Sequence, residues 1–139
     1  MTRVVVDTNV FISSFFGGNP KEIINLWKTG SITLCVSKDI INEYIEVLNR
    51  LGLKDEKELQ ELLKIFAEGH NIIFAASTPS LTIVKQDPKD NMFIECAVAL
   101  KCSHIISGDK HLKSIENYMG IKIVSPKDFL EQFHSSCNK

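Results

Sequence analysis

The chain has 139 residues, 44% of them hydrophobic and 24% charged, with 16 Lys and Arg against 17 Asp and Glu. That size and composition predict a single globular domain over residues 1–139 with a core that needs no staple, and they exclude disordered, collagen-like and coiled-coil chains. Balanced charge argues against tight binding of a polyanion by bulk attraction, yet it leaves room for an enzyme that gathers phosphate through metal ions and a local basic rim.

No apolar run approaches the roughly 20 residues of a membrane span. The opening MTRVVVDTNV enters a strand pattern at once, with no basic leader or small-residue cleavage site, so neither a signal peptide nor a membrane segment is expected. The cysteines are Cys35, Cys96, Cys102 and Cys137, without C-x-x-C spacing or a neighbouring His. They read as reduced thiols of a cytoplasmic protein, Cys35 and Cys96 as small core residues, and not as a zinc site.

Along the chain, short apolar runs alternate with helical periods. Val4–Asp7 (VVVD) reads as a buried strand. Asn19-Pro20-Lys21-Glu22 is a helix start with Asn as cap, closed by Gly30. Ile32–Val36 is a second strand, after which Ser37 caps a helix to about Leu51 that Gly52 stops. Lys54–Glu68 is a further helix, and Asn71–Ala75 a third strand. Ser77–Gln86 is a loop with an extended piece, Leu81–Val84. Asp87-Pro88 opens a helix through Lys101. His104–Ser107 and Ile121–Val124 are the fourth and fifth strands, and a last helix runs from Ser125-Pro126 to about Phe133. Continuous β-branched runs separated by helices indicate a parallel sheet covered on both faces, with ligands bound beyond the strands' C-terminal ends.

Attention therefore falls on residues leaving the strands. Asp7 ends the first strand, and Asp109 follows the fourth through Ser107-Gly108; the alternative for each is a turn or helix cap. Asp90 lies in line with Ile94 and Ala97 on its helix and so faces inward, while Glu95 points outward. The competing reading makes Asp87 the N-cap and Asp90 an N3 acid. In the helix after Ser37 the buried face carries Ile40, Ile41, Tyr44, Val47, Leu48 and Leu51, and Glu43 sits at its edge, about 40° from Val47. Lys89 and Lys110 each adjoin an acid in sequence and are expected to point elsewhere. Asp7, Glu43, Asp90 and Asp109 converging on one sheet edge would repel one another, and without a cation at least one should titrate above its ordinary value. A hard divalent cation such as Mg²⁺ or Mn²⁺ would hold them, and two ions about 4 Å apart can activate a water and stabilise the leaving oxygen of a phosphodiester.

These residues also resemble a known family. D-T-N-V at Asp7–Val10, Glu43 in a capped helix, D-P-K-D-N at Asp87–Asn91 and S-G-D-K at Ser107–Lys110 are similar to the motifs of the PIN domain, in particular of bacterial and archaeal PIN proteins assigned as toxins of toxin–antitoxin systems. The resemblance covers essentially the whole chain, in order. It implies a three-layer α/β/α sandwich with a five-stranded parallel sheet, strand order 3-2-1-4-5. It also implies Mg²⁺- or Mn²⁺-dependent cleavage of RNA, usually single-stranded, and an antitoxin protein as a partner. By motif match, Asp7, Glu43, Asp90 and Asp109 would be the metal-binding and catalytic acids. Asn9 and Ser107 would be nearby polar groups orienting a ligand or a water. Many relatives carry a further acid two residues after the S-G-D Asp; here that position is His111, which leaves a second metal open and offers either a phosphate contact or an ordinary helix histidine.

Rival readings fit less of the sequence. An aspartyl-nucleophile phosphatase needs D-x-D where Asp7-Thr8-Asn9 stands. A dinucleotide-binding domain needs a G-x-G-x-x-G that is missing. A phosphoacceptor receiver has no use for Glu43 and Asp90. A catalytically silent PIN-like RNA- or protein-binding module would not need all four acids. A homodimer is expected, with helices Glu22–Thr29 and Lys54–Glu68 packing between subunits, because Ile24, Trp27, Leu59, Leu63 and Phe66 exceed what one sheet face covers; the alternative is that they belong to the core.

Overall fold

Three consecutive valines make the first strand the centre of the sheet: Val4, Val5 and Val6 are all buried, as expected of a parallel strand covered on both faces. The structure, a computed structural model, describes residues 2–53, 57–84 and 88–137. The strands are β1 (Thr2–Val6), β2 (Ile32–Ser37), β3 (Ile72–Ala75), β4 (His104–Ile106), β5 (Asn117–Tyr118) and β6 (Ile121–Val124). The helices are α1 (Thr8–Ser13), α2 (Gly18–Lys28), α3 (Lys38–Arg50), α4 (Lys57–Glu68), α5 (Asn91–Ala99), α6 (Lys110–Lys113) and α7 (Pro126–Cys137), with 3-10 turns at Ser14–Phe16 and Pro88–Asp90.

The sheet order is β3-β2-β1-β4-β6-β5, parallel except for β5, which runs antiparallel to β6. The five expected parallel strands are present in the expected order. The sheet has six strands, not five, because Asn117–Tyr118 folds back on β6 through a turn in which both Met119 and Gly120 have positive φ. A two-residue strand has no periodicity to read. β1 to β3 step one way across the sheet, and the connection into β4 steps back past β1. Right-handed crossovers then put the helices of the two halves on opposite faces. Strand alternation agrees: Val36 shares a cavity wall with Phe11 and Tyr44 of α1 and α3, while Cys35, on the other face, lies near Cys96 of α5. Cys35 and Cys96 are both buried, free core thiols.

Several helix boundaries have clear chemical causes. Ser37 caps α3 as expected, its Oγ accepting from the Ile40 amide at 3.3 Å, and Ser125 accepts from the Asp128 amide at 3.1 Å with Pro126 opening α7. Two expectations differ. α2 starts at Gly18 with Gly17 at the cap, so Asn19 lies inside the first turn. Leu51 is exposed, not core, because α3 ends there and the chain turns away through Gly52 at φ +70°. α1, directly after β1, has no counterpart in the sequence reading; its six residues are too few to establish a helical period.

The 81–84 segment is not a strand. It is held by side chains of α5: Asn91 Oδ1 accepts from the amides of Ile83 (3.0 Å) and Val84 (2.7 Å), and Glu95 Oε2 accepts from that of Leu81 (2.7 Å). Glu95 therefore does not point away to solvent; it reaches back one turn beside Asn91. The proposed cap Asp87 lies outside the described residues. Asn91→Ala would leave the amides of Ile83 and Val84 without that acceptor and should cost about 2 kcal/mol in a urea unfolding curve, with faster hydrogen exchange at both amides. A variant as stable as wild type would contradict the clamp.

Candidate active site

The strand order reverses between β1 and β4, so the crevice beyond their C-terminal ends is where an open α/β sheet places a ligand. The β1–β2 pairing runs from Thr2–Ile32 to Val4–Leu34, and the β1–β4 pairing takes over from Val4 to Val6. Beyond it the Asp7 amide donates to Ile106 O at 3.0 Å. The carbonyl of Val6 accepts from the buried Tyr44 hydroxyl, whose ring stacks on Phe11 at 4.2 Å. β1 is thus tied to β4 on one side and to α3 through Tyr44, and Asp7 emerges from a fixed end.

Asp7 is 3% exposed and caps α1, Oδ1 accepting from the Val10 amide at 2.8 Å. Its Oδ2 accepts from the Ser107 hydroxyl. The Ser107 Oγ in turn accepts from the Asp109 amide at 2.9 Å, and the Ser107 amide donates to Val124 O at 2.9 Å. Asp109 caps α6, Oδ1 accepting from the amides of His111 (2.7 Å) and Leu112 (3.2 Å). Cap and site readings are therefore compatible for both acids. Asp90 stands at the N-cap position of α5, half-buried, and makes no side-chain cap bond there, while Ile94 and Ala97 below it are buried.

One cavity of about 140 Å³ is lined by Asp7, Asn9, Glu43, Asp90 and Asp109, together with Thr8, Val47, Arg50, Lys89 and Phe93. All four sequence-predicted acids thus come together, from the ends of β1 and β4, the middle of α3 and the start of α5. Asn9 sits at the exposed rim. Ser107 is fully buried behind the wall, bonded to the Asp7 carboxylate and the Asp109 amide. His111 is half-buried on α6 and, among the described residues, is not one of those lining the cavity. Two cations correct the sequence reading: Lys89 lines the cavity instead of pointing elsewhere, and Arg50 lines it too. Arg50 was legible as the residue two turns after Glu43 on the same helix stripe.

The Asp7 carboxyl is raised from 3.8 to about 6, chiefly by burial; the bonds from Ser107 and the Val10 amide pull it down, and the Asp109 charge pushes it up to a lesser degree. Desolvation, more than crowding, sets its titration. As placed, no three His, Cys, Asp or Glu side chains among the described residues enclose an ion. The donor set nonetheless fits a hard cation: Mg²⁺ commonly takes only one or two carboxylates and completes its sphere with water and phosphate. Thr8, on the same wall, has a buried Oγ1 with no hydrogen-bond partner among the described residues.

Residues 3–111 match the family described as PIN domain. The chain is 32% identical over 146 aligned positions to the uncharacterized protein MJ1680 of Methanocaldococcus jannaschii, covering 94% of this chain and 91% of that one. Its fold is similar to a chain in the crystal structure of VapBC2 from Rickettsia felis bound to a DNA fragment from their promoter. The TM-score is 0.52 at 14% identity, over 88% of this chain and 97% of that one.

A raised folded value means that protonated Asp7 favours the folded state. That contribution is fully present below 3.8 and is lost as pH rises through about 6. In EDTA, wild type should therefore lose about 3 kcal/mol relative to Asp7→Asn across that window, read from paired denaturation curves. Parallel pH profiles for the two proteins would contradict it.

Proposed function

We propose that this chain, which belongs to the PIN domain family, is a divalent-metal-dependent endoribonuclease acting on single-stranded RNA, and the toxin of a toxin–antitoxin pair. The observation that carries this reading is the meeting of Asp7, Glu43, Asp90 and Asp109 on one small cavity at the sheet's switch point. These four acids would hold Mg²⁺ or Mn²⁺. Bound there, the ion supplies charge stabilisation to a phosphodiester and acidity to water. The chain's own groups do the positioning. Ser107 holds Asp7 and the Asp109 backbone in one arrangement, Tyr44 fixes the end of β1, and Asn9 offers an amide at the rim to a ligand or a water. With water as nucleophile, the products carry 5′-phosphate and 3′-hydroxyl ends.

A silent binding module is the second reading. It is disfavoured by the cost of keeping Asp7 buried beside Asp109, which a mere scaffold would not need. The phosphatase reading gains nothing from Asn9 at the rim.

Two protein partners go with the toxin reading, an antitoxin and a second copy of the chain. For the second copy, the expected surface shifts. Ile24, Trp27 and Leu59 are buried within one chain and Phe66 is half-buried against the core, whereas Leu63 stays exposed. Leu63 joins exposed Ile45 and Phe74 at an apolar cavity of about 290 Å³ between α3, α4 and β3. The dimer would use that face. Light scattering at tens of micromolar should report two chains; a single chain's mass removes the dimer.

Labelled RNA digested with Mn²⁺ and with EDTA tests the activity itself. Cleavage should require metal and yield 5′-phosphates, and Asp7→Asn and Asp90→Asn should each lower the rate at least ~100-fold. Full activity in EDTA, or 2′,3′-cyclic phosphate ends, would sink the reading.

A further inference from the structure

We propose that Arg50 is the side chain that seats the substrate's phosphate beside the four acids; this rests on the nuclease reading above. A polyanion must enter a cavity walled by four carboxylates, in a chain whose formal net charge is already -1. Attraction has to be local. Two cationic side chains line that cavity, Arg50 and Lys89.

Their surroundings differ. Lys89 also lines the larger cleft of about 510 Å³ between α3 and α5, together with Asp39, Glu43, Glu46 and Glu95. There three further acids, Asp39, Glu46 and Glu95, share the lining with Lys89 and compete with a phosphate for its charge. Arg50 lines the acid cavity without lining the cleft.

Helix geometry places Arg50 for the task. Glu43, Val47 and Arg50 are spaced four and three residues apart, and all three line the cavity. Seven residues are almost two turns, so Glu43 and Arg50 share one stripe of α3, with about 10 Å of rise between them. Val47, buried, fills the stripe between. Arg50 itself is the last residue of α3 and exposed, so its long arm stands at the mouth while Glu43 sits deeper. A guanidinium offers a planar fork to two phosphate oxygens, which suits a residue that must hold one phosphate in register with groups below it. The competing role is charge compensation among the acids alone.

The test uses a fluorescently labelled single-stranded RNA with wild type, Arg50→Ala and Arg50→Lys. Cleavage is followed in Mn²⁺ over a range of KCl, binding by polarisation in EDTA, and melting in EDTA. Arg50→Ala should lose about 10- to 100-fold in kcat/KM, mainly through KM, with Arg50→Lys recovering part. Its slope of log affinity against log salt should fall by about 0.7. Arg50→Ala should melt as wild type does. An unchanged salt slope with kcat/KM within twofold of wild type overturns the proposal. So does an unchanged slope with lower melting, which assigns Arg50 to charge compensation. Arg50-dependent binding without wild-type cleavage supports Arg50 and fails the hydrolytic reading. Neither binding nor cleavage by wild type overturns both.

Discussion

Everything at the acid-lined edge of the sheet hangs on the Ser107 hydroxyl. It donates to Asp7 at the end of β1 and accepts from the Asp109 amide beyond β4, while the Ser107 amide anchors to β6. A single buried residue thereby joins three strands at the point where sheet order reverses. A hydroxyl can donate one hydrogen and accept at its lone pairs, so it serves a carboxylate and an amide together. A methyl in its place would leave a buried carboxylate oxygen and a backbone N–H both unsatisfied.

A second constraint acts on charge. Burial lifts the Asp7 carboxyl to about 6, so near neutral pH the fold holds an anion in a place that disfavours it. The surrounding structure over-determines that position. The α1 amide at Val10 and the Ser107 hydroxyl each donate a hydrogen bond to that carboxylate. Next to them, an aromatic layer of Phe11, Tyr44, Phe66 and Trp27 packs ring against ring. The Tyr44 hydroxyl closes this layer onto the Val6 carbonyl, the residue just before Asp7. Stability drawn from the aromatic core thus offsets a strained polar edge, as functional sites commonly require.

The α5 helix serves both jobs. Its apolar side, with Ile94, Cys96 and Ala97, is buried against the sheet. Its N-cap and its first residue divide the polar work, Asp90 lining the acid cavity and Asn91 clamping the 81–84 segment. One turn on, Glu95 fixes the same segment. The D-P-K-D-N motif therefore couples a site acid to the wall beside it, which explains why an amide follows the acid.

What was legible in the sequence was whatever depends on local period and order. The valine run, the capping Ser37, the Asp90–Ile94–Ala97 stripe and the ordered D-T-N, Glu43, D-P-K-D-N and S-G-D motifs were enough for a PIN-like parallel sheet and for its four acids. Period and capping are properties of a few neighbouring residues, so they survive without coordinates. Only tertiary structure decided the rest. The two-residue β5 exists because β6 offers it an edge. Ser107 became a buried bridge because β1 and β4 are neighbours. Glu95 turned inward because the 81–84 amides needed an acceptor. Lys89 joined the acids because the turn before α5 ends on their cavity. Each of these depends on which backbone groups are left unpaired, and which charges are brought together, once distant segments pack. No window of adjacent residues contains that information.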